Sequence, residues 1–505
     1  MNYTIKICYA LCIIAGLCIS TAQASNFPLK IIQPQQNLDV NNRFYRAYPN
    51  LEYNVRPGVT GGNYPYRYSL TTAPNGMSIS TTTGEITWPT PQESDTPYSV
   101  SLLVTDASGN TLSASWTVTV TTNGFYFVDA SATDGGDGSL SKPWNNWDDF
   151  YLGRTDSRYE NAFIYFREGT YTYPAHLTYT SSGNSNRLKL VTHPHVYLGY
   201  PNEAVTFDGE GTTNKIHLQL FGNDFYFDNI IFANSISYGL EVNSGDRLVV
   251  RRSTFKNFII GENSDNNAAI GMKNDPVGPS RSIEYTPTTE SNAYDMEKMY
   301  YLIQDNNFIN NDLTGIGSYG ITQGLYENNT FNNCGYSCIT LKSTINRITV
   351  RGNSITTADG YSIVAVSQYY VAYADILHNY IKGGVLQFGA FTGDSGPIES
   401  HIHRNTIDGL FWLKGIESDD GPIYIKNNIV INDDPNNQIR DSSSEHYSIK
   451  DNSVIYSSDN LGGPASSGII DSSGNLTSGY SSYIGSHGHM IGASPLPPQG
   501  LSVSK

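Results

Sequence analysis

"NNTFNNCGYSCITLKSTINRITVRGNSI", Asn328 to Ile355, sets an asparagine two residues before an apolar side chain twice within one short stretch. The pattern recurs. Asn306, Asn329, Asn353, Asn379, Asn405, Asn427 and Asn452 stand two before Phe308, Phe331, Ile355, Ile381, Ile407, Ile429 and Val454, in steps of 23, 24, 26, 26, 22 and 25 residues. A period in the twenties with one strand-turn-strand signature per period is that of a β-solenoid, in which each coil stacks on the last because a lone repeat cannot bury its own core. Asparagine suits the repeated place because it tolerates left-handed backbone and its amide both donates and accepts along a stack. Upstream, Asp228 and Ser253 read as equivalent places 25 apart. The 53 residues from Ser253 to Asn306 hold one extra coil length, read here as an insertion from Lys273 to Lys298.

The rest of the chain agrees with an all-β reading. Its 505 residues are 38% hydrophobic, enough for a sizeable core, and the excess of Gly, Asn, Ser, Thr and Tyr with short Val and Ile runs favours strands and tight turns. A net charge of −16 and a pI near 5.0 argue against nucleic acid as a partner, since phosphate binding needs a concentrated basic surface. The 37 tyrosines fit both a β core and exposed rings that stack on sugars. "MNYTIKICYALCIIAGLCISTAQA" joins a basic Lys6, an apolar run and Ala22-Gln23-Ala24, and predicts a signal peptide cleaved after Ala24 and a secreted or periplasmic product. No other run is long and apolar enough to span a bilayer, so no membrane partner is expected. Cys334 and Cys338 outlast that cleavage, and in an oxidising compartment a local disulfide across "CGYSC" is expected.

"PNGMSISTTTGEITWPTPQESDTPYSVSLLVTDASGN" carries a resemblance to the cadherin-like or immunoglobulin-like domains of bacterial surface proteins, through Pro74, Gly76, Thr83, Gly84, Ile86, Trp88, Thr105, Asp106 and Gly109. The resemblance implies a β-sandwich over 25–122 acting as a spacer or binding appendage. After "TTNG", the stretch "FYFVDASATDGGDGSLSKPWNNW", Phe125 to Trp147, resembles the opening of pectate-lyase-like right-handed β-helix proteins. The expected organisation is thus a signal peptide over 1–24, an immunoglobulin-like β-sandwich over 25–122, a right-handed parallel β-helix over 123–490 and a tail over 491–505. The acids Asp134 and Asp137 read as turn chemistry.

In such a fold the strand well before each asparagine faces the ligand, with alternate side chains pointing outward. The outward stripe comprises Glu241, Asn243, Lys273, Tyr319, Thr340, Lys342, Gln387, Trp412 and Lys414. Tyr319 and Lys342 each lie 13 after their asparagine, which predicts that they stack on adjacent coils. A groove of Lys, Tyr and Trp on an exported β-helix points to an acidic polysaccharide. A lyase of such a polymer needs a base for the proton α to the carboxylate, a cation on that carboxylate, and a proton for the leaving oxygen. The candidates are Lys342 as base, Tyr319 as proton partner and Lys273 or Lys414 on the carboxylate, with Glu241, Tyr369, Trp412 and Lys414 lining the groove.

"CITLKSTINRITV" also resembles the Lys-Ser-x-x-Asn coil of the alginate lyase and chondroitinase B family through Lys342, Ser343 and Asn346, which implies a base at Lys342. That family's calcium-binding carboxylates, seven and five before the lysine, are Gly335 and Ser337 here, and its arginine on the next coil has no counterpart. A second acidic set, Asp394 with Glu417, Asp419 and Asp420, falls on successive "GDSGPI" and "SDDGPI" turns. Clustered carboxylates raise one another's pKa and suit a glycoside hydrolase or a calcium ion, the one cofactor the sequence raises. A non-catalytic carbohydrate-binding adhesin is the third reading. His401 and His403, two apart in "ESHIHRN", form a candidate metal or acid/base pair, and the oligomeric state is left open.

Overall fold

The computed structural model describes residues 27–35, 42–147, 159, 161–172, 186–190, 196–211, 215–221, 224–236, 238–244, 247–259, 267–273, 300–357, 360–367, 370–390, 397–398, 400–414, 423–426, 428–431, 439–441, 454–456 and 461–463. Near the N-terminus, a sheet of Arg46–Ala47, Thr111–Val120, Tyr98–Thr105 and Arg67–Thr72 faces a sheet of Tyr53–Val55, Ile86–Trp88 and Ser78–Ile79. The alternation in Thr111–Val120 buries Ala114, Trp116, Val118 and Val120 and leaves the residues between them towards solvent, the period-2 signature of a half-buried strand.

From Phe125 onward every pairing between named strands is parallel, and the strands stack in three columns. The first column starts with Phe125–Val128 and Phe163–Phe166 and runs through Arg247–Arg251 and Tyr300–Gln304. The second contains Thr254–Lys256, Asn307–Asn311 and Thr330–Cys334, and the third contains Ala268–Lys273 with the N-terminal parts of Thr314–Glu327 and Ser337–Arg351. Inside the second column, Phe232, Phe255, Phe308 and Phe331 stack face to face at 4.8, 5.1 and 4.5 Å, and Ile355, Ile381, Ile407 and Val430 continue the row. Phe308, Phe331, Ile355, Ile381 and Ile407 are the apolar residues the repeat singled out, so the sequence period is the coil.

The asparagines form a ladder at the turn from the first to the second column. Asn306, Asn329, Asn353, Asn379 and Asn405 each direct their backbone N–H and side-chain Nδ2 at the Oδ1 of the next asparagine, at 2.9 to 3.1 Å. The preceding residue in each turn, such as Asp305, Asn328 or His378, takes the left-handed backbone instead. Three expectations are corrected here. The last rung is Asn428, not Asn427, because Asn428 accepts from Asn405 and its core partner is Val430. Val454 pairs with Ile423 of the first column, so Asn452 does not lead a second-column strand. Upstream, Ile230 rather than Asp228 is equivalent to Ser253, whose hydroxyl receives the Ile230 N–H at 3.2 Å.

Asn353→Ala removes the acceptor of the Asn329 N–H and amide and the donor to the Tyr326 carbonyl, all buried. Each orphaned group costs about 1–3 kcal/mol, so the variant should lose at least about 3 kcal/mol, read as a lower urea midpoint.

The immunoglobulin-like domain is docked on the β-helix. It lies against the outer face of the first column, where Ile32 and Leu51 share a core with Phe127, Tyr165, Leu198 and Leu302. Arg56 of the sandwich ion-pairs with Asp305 and, at 3.1 Å, with Glu327 on the next coil. Arg351, one coil further, holds the same Glu327 at 2.6 Å and donates to Val59 O at 2.9 Å and Tyr66 Oη at 3.0 Å across the interface. Its guanidinium lies 4.7 and 4.8 Å from the Tyr64 and Tyr66 ring centroids. Burial alone would raise the Glu327 carboxyl, yet Arg351 and Arg56 hold it below its ordinary value.

Candidate functional site

The third column carries the candidate site. Ile316, Ser318, Ile339 and Leu341 point into the coil, so Tyr319 and Lys342 point out, by the alternation of a strand. Register sets Lys273 opposite Tyr319 and Tyr319 opposite Lys342, which puts three consecutive coils at one position, about 4.8 Å apart. Further along, Lys414 pairs with Gly389, and Gly389 with Val366. The neighbouring outward row, two residues earlier, reads Gln219, Glu241, Gly271, Gly317, Thr340, Val364, Gln387 and Trp412.

In that row Gly271 makes room for an aromatic ring, and Gly317 lies beside one. A Cβ on Gly271 would stand 2.6 Å from Tyr238 Cε1, and one on Gly317 would stand 3.4 Å from Tyr319 Cε2. Tyr238 is buried beneath this row, and Tyr319, half-buried, is the ring there with a face a sugar can stack on. The register shift immediately after Tyr319 bends the strand at this point. Lys342, half-buried, places Nζ 5.5 Å from the centroid of the Tyr336 ring. Tyr336 sits in the turn that Cys334 and Cys338 close as a disulfide, with Cα atoms 5.3 Å apart.

The other predicted residues fall as follows. Glu241 is buried and accepts from Gln219 Nε2 at 3.0 Å, so its carboxylate is engaged within the row. Trp412 is half-buried beside Gln387. For Lys273 and Lys414 the strand positions are described, while Tyr369, Asp394, Glu417, Asp419 and Asp420 lie outside the described residues. His401 and His403 belong to the first column. His403 Nε2 meets Asp375 Oδ1 at 3.0 Å, and the His401 ring lies between Phe27 and Tyr424, away from the lysine column. Among the described residues no group of three or more His, Cys, Asp or Glu converges as a metal site would.

Tyr336 and Tyr238 were not singled out by the sequence reading. The one signal available was the five-residue "CGYSC" loop, whose closure fixes whatever side chain it carries. A separate cavity of about 490 Å³, lined by Asp208, Glu210, Asp312, Asn234, Asn257 and Ile259 among others, opens at the turns between the second and third columns. Its carboxylates give it the opposite sign to the lysine column.

Comparison with known proteins agrees with the architecture. Residues 214–381 and 286–430 match the model of the right handed beta helix region, and residues 37–121 match the model described as "Putative Ig domain". The chain is a right-handed parallel β-helix protein with an immunoglobulin-like domain ahead of the helix. Among solved structures it is similar to pectate lyase Pel9A, at 13% identity over 66% of this chain and 82% of that one, with a TM-score of 0.40. A "putative alpha-galactosidase/melibiase" from Bacteroides fragilis matches at 17% identity over 26% of this chain and 29% of that one, with a TM-score of 0.15. No curated protein matches the chain. Both structural likenesses are too distant to bear on chemistry.

Proposed function

We propose that the protein is an exported polysaccharide depolymerase, a lyase that cleaves an acidic, uronate-containing exopolysaccharide by β-elimination. The observation that carries this reading is the shared register of Lys273, Tyr319 and Lys342 on consecutive coils, with Tyr319 and Lys342 pointing outward and the Tyr319 ring beside Gly317. A polymer along the third column would meet cations for its carboxylates, aromatic faces for its sugar rings and a phenol for proton transfer. β-Elimination asks for no more than these, since it breaks a carbon–oxygen bond without consuming water. The predicted signal peptide supports an exported site of action.

The mature protein, incubated with a panel of acidic and neutral polysaccharides, should raise ultraviolet absorbance from unsaturated uronate in step with new reducing ends on an acidic polymer. Reducing ends without absorbance would transfer the assignment to a hydrolase. Binding with neither signal would make the protein an adhesin.

A further inference from the structure

We propose that Lys342 works as a fixed ammonium that holds the substrate carboxylate, that Tyr319 is the group that moves the proton, and that Tyr336 is the positioning residue that keeps Lys342 charged. This division of roles rests on the lyase reading above and reverses the one the sequence favoured. It starts from the 5.5 Å separation between Lys342 Nζ and the Tyr336 ring. The negative face of an aromatic ring attracts an ammonium and offers a neutral amine no comparable attraction, so the contact favours the protonated lysine. A base has to give up that proton before it can act.

Tyr336 is held firmly enough to impose this. The Cys334–Cys338 disulfide closes the turn, and both half-cystines are buried. Gly335 N–H donates to Asn311 O at 2.7 Å, and a Cβ on Gly335 would meet Asp312 O at 2.4 Å, so the turn is pressed against the previous coil. On the other side Tyr336 O accepts from the Tyr361 N–H at 3.1 Å, and the two rings lie 6.3 Å apart. The turn that carries the ring is thus pinned between coils, and the lysine reaches to the ring.

Tyr319 occupies the matching position one coil earlier. Beginning as phenolate, it takes the proton α to the uronate carboxylate. The electron pair of that C–H bond forms the new carbon–carbon double bond as the carbon–oxygen bond to the leaving sugar breaks. The pair of the broken bond stays on the leaving oxygen, which receives the proton back from the phenol. Lys342 neutralises the carboxylate while charge builds on it. Tyr319 ends as it began, and no co-reactant is consumed.

Arginine at position 342 separates the two assignments, because it keeps a cation and cannot serve as a base. On the polymer the wild type cleaves, Lys342→Arg should retain kcat within about tenfold of wild type, and Lys342→Ala should lose about a hundredfold or more. Tyr336→Leu should lower kcat several-fold and shift the pH profile, because fewer Lys342 side chains stay charged, while Tyr336→Phe, which keeps the ring, should restore both. Thermal melts accompany each variant, and the Phe–Leu contrast reads the ring even where Lys342→Ala folds poorly. Lys342→Arg as inactive as a well-folded Lys342→Ala, or Tyr336→Phe failing like Tyr336→Leu, overturns the assignment while the lyase reading stands. A wild type that forms unsaturated ends on no polymer overturns both.

Discussion

Tyr319→Phe should abolish turnover while leaving the fold intact. The substitution removes one oxygen and leaves the ring where it lies, beside Gly317, so neither the stacking on the coil nor the parallel register with Lys273 and Lys342 is disturbed. A positioned acid or base contributes about 10²–10⁴-fold, so kcat should fall about a thousandfold, some 4 kcal/mol of transition-state stabilisation. KM should stay near the wild-type value, because the sugar-stacking face and the flanking strands are retained. Steady-state kinetics on the cleaved polymer, with matched circular dichroism spectra, checks this. A variant that turns over at the wild-type rate removes Tyr319 from the mechanism.

The largest effect on stability should come from Glu327→Gln. Glu327 is buried between Arg56 of the immunoglobulin-like domain and Arg351 of the next coil, and it also accepts from Gln304 Nε2 at 3.0 Å. Neutralising it leaves two buried guanidinium groups with one charge partner fewer, and breaking such a buried pair costs about 3–5 kcal/mol. Asp305 remains for Arg56, which places Arg351 as the group most exposed to the loss. Replacing Glu327 and Arg351 together by methionine should recover part of that cost, the signature of coupled residues.

The same carboxyl sets a pH dependence. Its folded value is depressed, so the stability it contributes is present above the ordinary carboxylate value of 4.5 and is lost as pH falls through the lower folded value. Melting temperature should therefore fall more steeply below the ordinary carboxylate range in the wild type than in Glu327→Gln. Equal acid slopes for the two would remove Glu327 from the acid response.

The β-helix was legible because one turn per coil carries two separable demands. A left-handed residue comes first and a buried, stacking amide second. At the Asn427-Asn428 pair sequence inspection takes the wrong asparagine, and only the hydrogen bond from Asn405 identifies Asn428 as the rung. At Ile230 the ladder position holds no amide, so the sequence reading settles two residues away, on Asp228. The columnar alignment of Tyr319 and Lys342 was also readable, since a constant offset from the ladder asparagine fixes the register. The docking of the sandwich was not. Arg56 meets Asp305 across 249 residues, and no local pattern in either segment encodes the other. Tyr336 escaped for a related reason. Its importance lies in the distance from a turn residue to a strand side chain, and the sequence shows both residues without that distance.

The most direct measurement is the mass of the new chain ends formed when the wild-type protein digests an acidic polysaccharide in heavy-oxygen water. β-Elimination predicts unsaturated fragments one water lighter than hydrolysis products and free of the heavy label introduced by bond cleavage. Saturated fragments that carry the label at the cleaved bond would contradict the lyase account and assign the cleavage to hydrolysis.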